Sequence, residues 1–340
     1  MIDRELLRRL PKTDLHCHLD GSVRPETAVE FARGLKIKLE KEQCLVGPSC
    51  RSLKDFLDVF DALYPLLRTA AALERIAYEL LEDCAADNIR HVEVRFAPEL
   101  NRSPSLSTDE AVESALRGLK RGLKDFGVTS SVIICLLRSH SPEQNKRAFA
   151  TLKRFFNPKP TLAEPSVVAL DLAGDEARHP TMLFADFYEQ ARDQGYWTTC
   201  HAGETQGTAN LKACLELSVM RIGHGTHLHE DASLMKKVVE KGIPLEIGLS
   251  SNVRTKSVES LRAHPAMRFH EAGVPITLNT DDRGIIGIDL THEYEQAAEM
   301  GFSFDQLREL TLRSTDHVFL PSEEKAKLRA NFEKELLALR

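Results

Sequence analysis

The sequence predicts one (β/α)8 barrel with a helical insertion after its first strand covering the C-terminal mouth. Three observations predict it. Eight short apolar or β-branched runs recur along the 340 residues, and segments with helical spacing separate them. Histidines and carboxylates gather at the C-terminal ends of those runs, where the strands of a barrel converge on one mouth. A doubly wound open sheet is the structural alternative, but eight strands exceed its usual complement of about six.

The runs are TDLHCHL (13–19), HVEVRFAP (91–98), SSVIICLL (130–137), SVVALDLAG (166–174), WTTCHAG (197–203), RIGHG (221–225), PLEIGLSSN (244–252) and VPITLNTDD (274–282). Before the second run, Leu73, Ile76, Ala77, Leu80 and Leu81 recur at helical spacing. No repeat, low-complexity tract or Ser/Gly linker divides the chain, so residues 1–340 read as a single domain. The segment 20–90 is longer than a plain βα connection. Within it RSLKDFLDVFDALYPLL carries Leu53, Phe56, Leu57, Phe60 and Leu63 as an amphipathic stripe. The stripe suits a core-facing helix, and the extra length gives it room to lie over the mouth as a lid and face a ligand.

Composition narrows the function. With 42% apolar and 28% charged residues the chain can bury a sizeable core, which excludes wholesale disorder. A formal net charge of −6 without a long basic run argues against a nucleic-acid partner and fits a small-molecule enzyme or a binding module. No apolar span of about 18 residues occurs, so no membrane helix is expected. The opening MIDRELLRRLPK lacks the apolar stretch of a signal peptide. Seven cysteines without C-x-x-C spacing suggest neither a disulfide framework nor a zinc knuckle, and a reducing cytoplasm is the expected location.

The motifs carry the chemistry. Alternate residues of a strand share a face, so His16 and His18 both point into the lumen if 13–19 is extended, and Cys17 points away. His201 ends the fifth run and Glu204 follows it after a glycine turn. Asp281 and Asp282 end the eighth, where burying either carboxylate needs a cation or hydrogen-bond donors. Each signal alone is weak, and the bland reading is a set of hydrogen-bonded core histidines. Together, three imidazoles and a carboxylate from separate strands make a nitrogen–oxygen site suited to zinc. His227 and His229 read as surface or supporting residues, Cys200 as packing, and Asp171 and Asp175 as organisers of the turn after the fourth strand.

In order along the chain, KTDLHCHLDGSVRPET, SLKDFLDVFDALYPLL, HVEVRFAPEL, DLAGDE, HAGE, RIGHGTHL, SSNVRT and LNTDD resemble the adenosine deaminase family of the amidohydrolase superfamily, from about Pro11 past residue 320. The resemblance implies a (β/α)8 fold with one zinc per chain, held by His16, His18, His201 and Asp281. It further implies that Glu204 delivers a proton to purine N1 and that His224 orients the attacking oxygen. Asp282 would meet N7, the Gly174 backbone N–H would meet N3, and Asp20 would bond a ribose hydroxyl. Leu53, Phe56, Leu57 and Phe60 match the family's apolar gate over the sugar.

The implied reaction is hydrolytic deamination of adenosine or 2′-deoxyadenosine, with a small-molecule purine nucleoside as the ligand and neither nucleic acid nor membrane as a partner. No lysine occurs in SVVALDLAG, which argues against the two-metal hydrolases bridged by a modified lysine. The H-x-E and P-C-x-x-C elements of cytidine-type deaminases are missing. A catalytically inactive nucleoside-binding relative would be expected to lack a ligand or the acid, and none is lost. Adenine deaminases of the family typically have glutamate where Asp20 stands. Two departures from the family pattern are Ile247-Gly248-Leu249 in place of a Cys-Pro before Ser250, and Arg283 where proline is common. An arginine at the mouth could grip a carboxylate, which would suit 6-amino-6-deoxyfutalosine; otherwise Arg283 points to solvent.

Overall fold

The computed structural model describes residues 2–47, 50 and 52–339. Eight parallel strands stand in sequence order: β1 (Lys12–His18), β2 (Ile89–Phe96), β3 (Thr129–Leu137), β4 (Ser166–Ala173), β5 (Trp197–Ala202), β6 (Arg221–His224), β7 (Leu245–Ile247) and β8 (Ile276–Leu278). Helices connect successive strands, as parallel neighbours require. The ring closes between β8 and β1, where Cys17 bridges Asp281 just past the end of β8. The expected (β/α)8 barrel is therefore the architecture. No helix of the described residues is long and apolar enough to cross a membrane.

Apolar residues fill the layer between strands and helices: Val92 and Val94 of β2 and Leu170 and Leu172 of β4 are fully buried. The lumen is different. Arg95, Asp171 and Glu246 are buried there without exposure, and each is paired. Arg95 donates to Asp171 Oδ2 at 2.9 Å and to Glu246 Oε2 at 2.8 Å, while Arg221 bonds Glu246 Oε1 at 2.6 Å and also pairs with Glu93. Such a network is tolerable in a low-dielectric interior because every charge meets its opposite.

Two segments depart from the sequence reading. The run 244–252 is extended only through Ile247; Leu249–Arg254 is a helix. Its free N-terminal donors are satisfied from afar, with Leu249 and Ser250 N–H donating to the Glu293 carboxylate at 2.6 and 3.1 Å, so no local cap marks the turn. The stripe at 53–67 is not one helix but three short pieces, Leu53–Asp58, Phe60–Leu63 and a 3-10 turn Tyr64–Leu67. Pro65 has no N–H to continue an α-helix there. Helix Ala70–Ala86 begins on Thr69, whose Oγ1 accepts from Ala72 N–H at 3.2 Å, and packs against β2 and helix Thr108–Phe126 as an ordinary outer helix of the barrel.

Candidate active site and metal centre

The residues at the C-terminal strand ends meet at one cavity of about 320 Å³. One atom each from His16, His18, His201 and Asp281 falls within 4.8 Å of all the others. His16 Nε2 is 3.0 Å and His18 Nε2 is 3.1 Å from His201 Nε2, and Asp281 Oδ1 lies 3.2 and 3.4 Å from the first two. Alternation along β1 explains the pairing of His16 with His18, as its pattern predicts.

The far sides of two rings fix their protons. His16 Nδ1 is 2.8 Å from Glu246 Oε2, and His201 Nδ1 is 3.2 and 3.0 Å from the Asp171 oxygens. A carboxylate only accepts, so each Nδ1 carries hydrogen and the neutral Nε2 lone pairs converge. Lone pairs 3.0 Å apart repel unless a cation lies among them, and this donor set of nitrogen and oxygen atoms fits zinc. The His16 ring is held between two carboxylates, with Nδ1 2.8 Å from Glu246 Oε2 and Nε2 3.2 Å from Asp281 Oδ1. Asp281 is further held by Ser251 Oγ at 2.6 Å.

Beside this group lies the carboxyl of Glu204. Burial, then Asp281 and Glu176, raise its pKa to about 8, well above the ordinary carboxyl range. Its Oε2 is 3.6 Å from His224 Nε2, which is 4.0 Å from Asp281 Oδ2. Asp282 is buried, and burial together with Asp281, Asp20 and Glu204 drives its pKa well above the carboxylate range. Oδ1 of Asp282 and Oδ1 of Asp20 have no protein partner, although both residues line the cavity. Room for Asp282 comes from Gly21, since a Cβ there would sit 1.7 Å from Asp282 Oδ1. His224 and Asp281 hold φ of 64° and 60°, a left-handed conformation that non-glycine residues rarely adopt and that the surrounding bonds impose.

Gly174, Phe56, Leu57 and Phe60 line the same cavity. Phe56 and Phe60 are buried, and Leu57 stands 36% exposed at the lip. The side chain of Leu53 lies outside the described residues. Arg283 corrects both readings given to it. Its guanidinium is neither at the mouth nor in solvent but buried against the outer helix, with Nη1 3.5 Å from Cys84 Sγ and Nη2 3.8 Å from Asp87 Oδ2. The chain leaves Asp282 into the helix Arg283–Ile286 and turns the arginine away from the cavity. Asp171 also needs correction, because it orients His201 within the lumen and does not organise the following turn. Asp175 does that, accepting from Ala177 N–H at 3.1 Å.

Glu246 and Arg95, with Asp171, support the candidate metal ligands, and neither Glu246 nor Arg95 was singled out from sequence. A signal was available: in HVEVRF, His91, Glu93 and Arg95 alternate, which places charge on the lumen face of β2.

Ligands, acid and a charged lumen gathered at the mouth of a parallel barrel define the class of hydrolytic deaminases with the amidohydrolase fold. Within that class the chain belongs to the adenosine deaminase family, whose profile matches residues 11–335. An adenosine deaminase of Clostridium perfringens is 34% identical over 332 residues, covering 95% of this chain and 98% of the relative. Among solved structures, a zinc-bound amidohydrolase from Burkholderia ambifaria superposes with a TM-score of 0.88 at 27% identity, covering 100% of this chain and 94% of the other. An Arabidopsis N6-mAMP deaminase does so with a TM-score of 0.85 at 27% identity, covering 97% and 99%.

Proposed function

We propose that the protein is a zinc-dependent deaminase of adenine nucleosides, converting adenosine and 2′-deoxyadenosine to the inosines and ammonia. The observation that carries this reading is the largely buried Glu204 carboxyl 3.6 Å from His224, beside the three-imidazole group at the mouth of the barrel. One zinc, when bound by His16, His18, His201 and Asp281, supplies Lewis-acid activation that lowers the pKa of water from about 15.7 toward 7.

The chain's own groups do the rest. Glu204 delivers its proton to N1 as water adds at C6; the carboxylate so formed takes up the protons the added oxygen releases and passes one to the 6-amino group, which leaves as ammonia while C6=O forms. His224 orients the attacking oxygen. Asp282 meets N7 and Gly174 N–H meets N3; together they fix the purine in the plane that presents C6. Asp20 accepts from a ribose hydroxyl. Phe56, Leu57 and Phe60, from the insertion after the first strand, act as the lid over the sugar and shield the acid from water.

No lysine or arginine of the described residues lines the cavity, which favours an uncharged sugar over a carboxylated one and leaves 6-amino-6-deoxyfutalosine without the residue that suggested it. The similarity to curated adenosine deaminases supports the same choice. Ammonia release from adenosine, 2′-deoxyadenosine, adenine and 6-amino-6-deoxyfutalosine tests it. The first two should be the best substrates; preferential turnover of free adenine overturns the nucleoside assignment.

A further inference from the structure

His224 can act in two opposite ways, as a base through a bare Nε2 or as a donor through Nε2–H. The choice is set by hydrogen bonds that begin outside the cavity. The main-chain N–H of Ala266 can only donate, and it points at His264 Nδ1 at 3.1 Å, so that nitrogen is bare. A neutral His264 then carries its hydrogen on Nε2, which lies 3.1 Å from Asn252 Oδ1. This pairing fixes the orientation of the Asn252 amide, leaving its NH₂ group 3.0 Å from His224 Nδ1. Nδ1 of His224 must accept, and the ring's hydrogen is left on Nε2, facing Glu204 and Asp281. Asn252, His264 and His224 are all buried, so no water competes along the chain. Burial lowers the His264 pKa to about 3, which keeps that ring neutral, and the Asn252 NH₂ group facing His224 Nδ1 leaves no place for a hydrogen on that nitrogen.

We infer that Asn252 and His264 are positioning residues that hold His224 in its Nε2–H tautomer, making it a hydrogen-bond donor to the reacting oxygen. His224 then does not take the proton of the attacking water. An obligate donor at one end of the chain, a backbone amide that cannot reverse, propagates through two side chains to the reacting atoms. Neither residue touches the cavity through the atoms that make these bonds. The inference rests on the deaminase reading for its consequence in turnover, and on hydrogen bonding alone for the tautomer.

The test is imidazole 15N–1H correlation spectroscopy on the purified full-length protein, with the rings assigned by His224→Gln and His264→Gln. The expected result is hydrogen on Nε2 and none on Nδ1 for both rings. Asn252→Asp presents only acceptors to His224 and should move its hydrogen to Nδ1. In that variant kcat for adenosine should fall by about tenfold to a hundredfold, the range for lost supporting contacts, with KM and zinc content held. His264→Gln retains a donor for Asn252 and should restore most of the turnover that His264→Leu loses. Hydrogen on Nδ1 of His224 in the unmodified protein overturns the inference. So does Asn252→Asp with undiminished kcat, or a His264→Gln no better than His264→Leu. A protein that deaminates none of the four purines would overturn the proposed function instead, and the spectra would still decide the tautomer.

Discussion

Asp281 donates its main-chain N–H to the carbonyl of His16 at 2.8 Å, and its own carbonyl accepts from His18 N–H at 2.7 Å. Three residues whose side chains converge are thus joined by backbone across the seam of the barrel. The spacing of the group is set by the same bonds that close the sheet, and it does not depend on flexible loops.

Removing a central imidazole should therefore empty the site without unfolding the barrel. His201→Ala is expected to lose both bound zinc and turnover, measured by elemental analysis and ammonia release on the same sample. Asp171→Asn, which weakens the hold on His201 Nδ1, should lower zinc affinity by about 10–100-fold and recover activity in excess zinc. Tight zinc retention in His201→Ala would remove that histidine from the ligand set.

The acid has a pH signature. In the proposed mechanism Glu204 donates the proton, and burial with Asp281 and Glu176 raises its pKa to about 8. Protonated below that value and ionised above it, the group should give kcat/KM a limb that falls as pH rises through about 8. A bound cation nearby draws the limb lower. Glu204→Gln should keep zinc and lose about 10²–10⁴-fold in kcat, since an amide has no proton to deliver. Near-normal turnover with zinc intact would dismiss the assignment.

At the sugar end, Asp20 presents an unpartnered buried oxygen to the cavity. Asp20→Ala should weaken transition-state binding of adenosine by about 1.5–3 kcal/mol, the scale of a hydrogen bond to a charged group, and leave free adenine nearly unchanged. Equal losses on both substrates would show that Asp20 does not contact the sugar.

Arg283 offers the converse. Its guanidinium faces Cys84 and Asp87, and Asp87 in turn accepts from Leu290 N–H at 2.6 Å. Arg283→Ala should destabilise the fold by about 1–3 kcal/mol in urea denaturation, from a buried polar contact left open. The ratio of kcat/KM for adenosine to that for 6-amino-6-deoxyfutalosine should stay as it was. A ratio shifted tenfold toward adenosine would return the arginine to substrate recognition.

What was legible in the sequence follows periodicity and position. His16 and His18 could be read because a strand alternates, and His201, Glu204 and Asp281 because they stand at strand ends. The break of the 53–67 stripe into short pieces was hidden by an apolar spacing that suits one helix. The helix after Ile247 was hidden because its cap, Glu293, comes from more than forty residues away. Arg283 was misjudged because adjacency to Asp282 says nothing about which way the next helix turns a side chain. Asn252 and His264 belong to the same kind: a tautomer depends on who bonds whom, and no spacing encodes it.

The seam between β8 and β1 also dictates when the site can come into being. The ligand group spans residues 16 to 281, so on a nascent chain His16 and His18 gain His201 only after the fifth strand emerges, and the set is complete only once Asp281 follows. In the proposed zinc enzyme, a metal held by His16, His18, His201 and Asp281 would act as a clasp between the first strand and the last, resisting their parting.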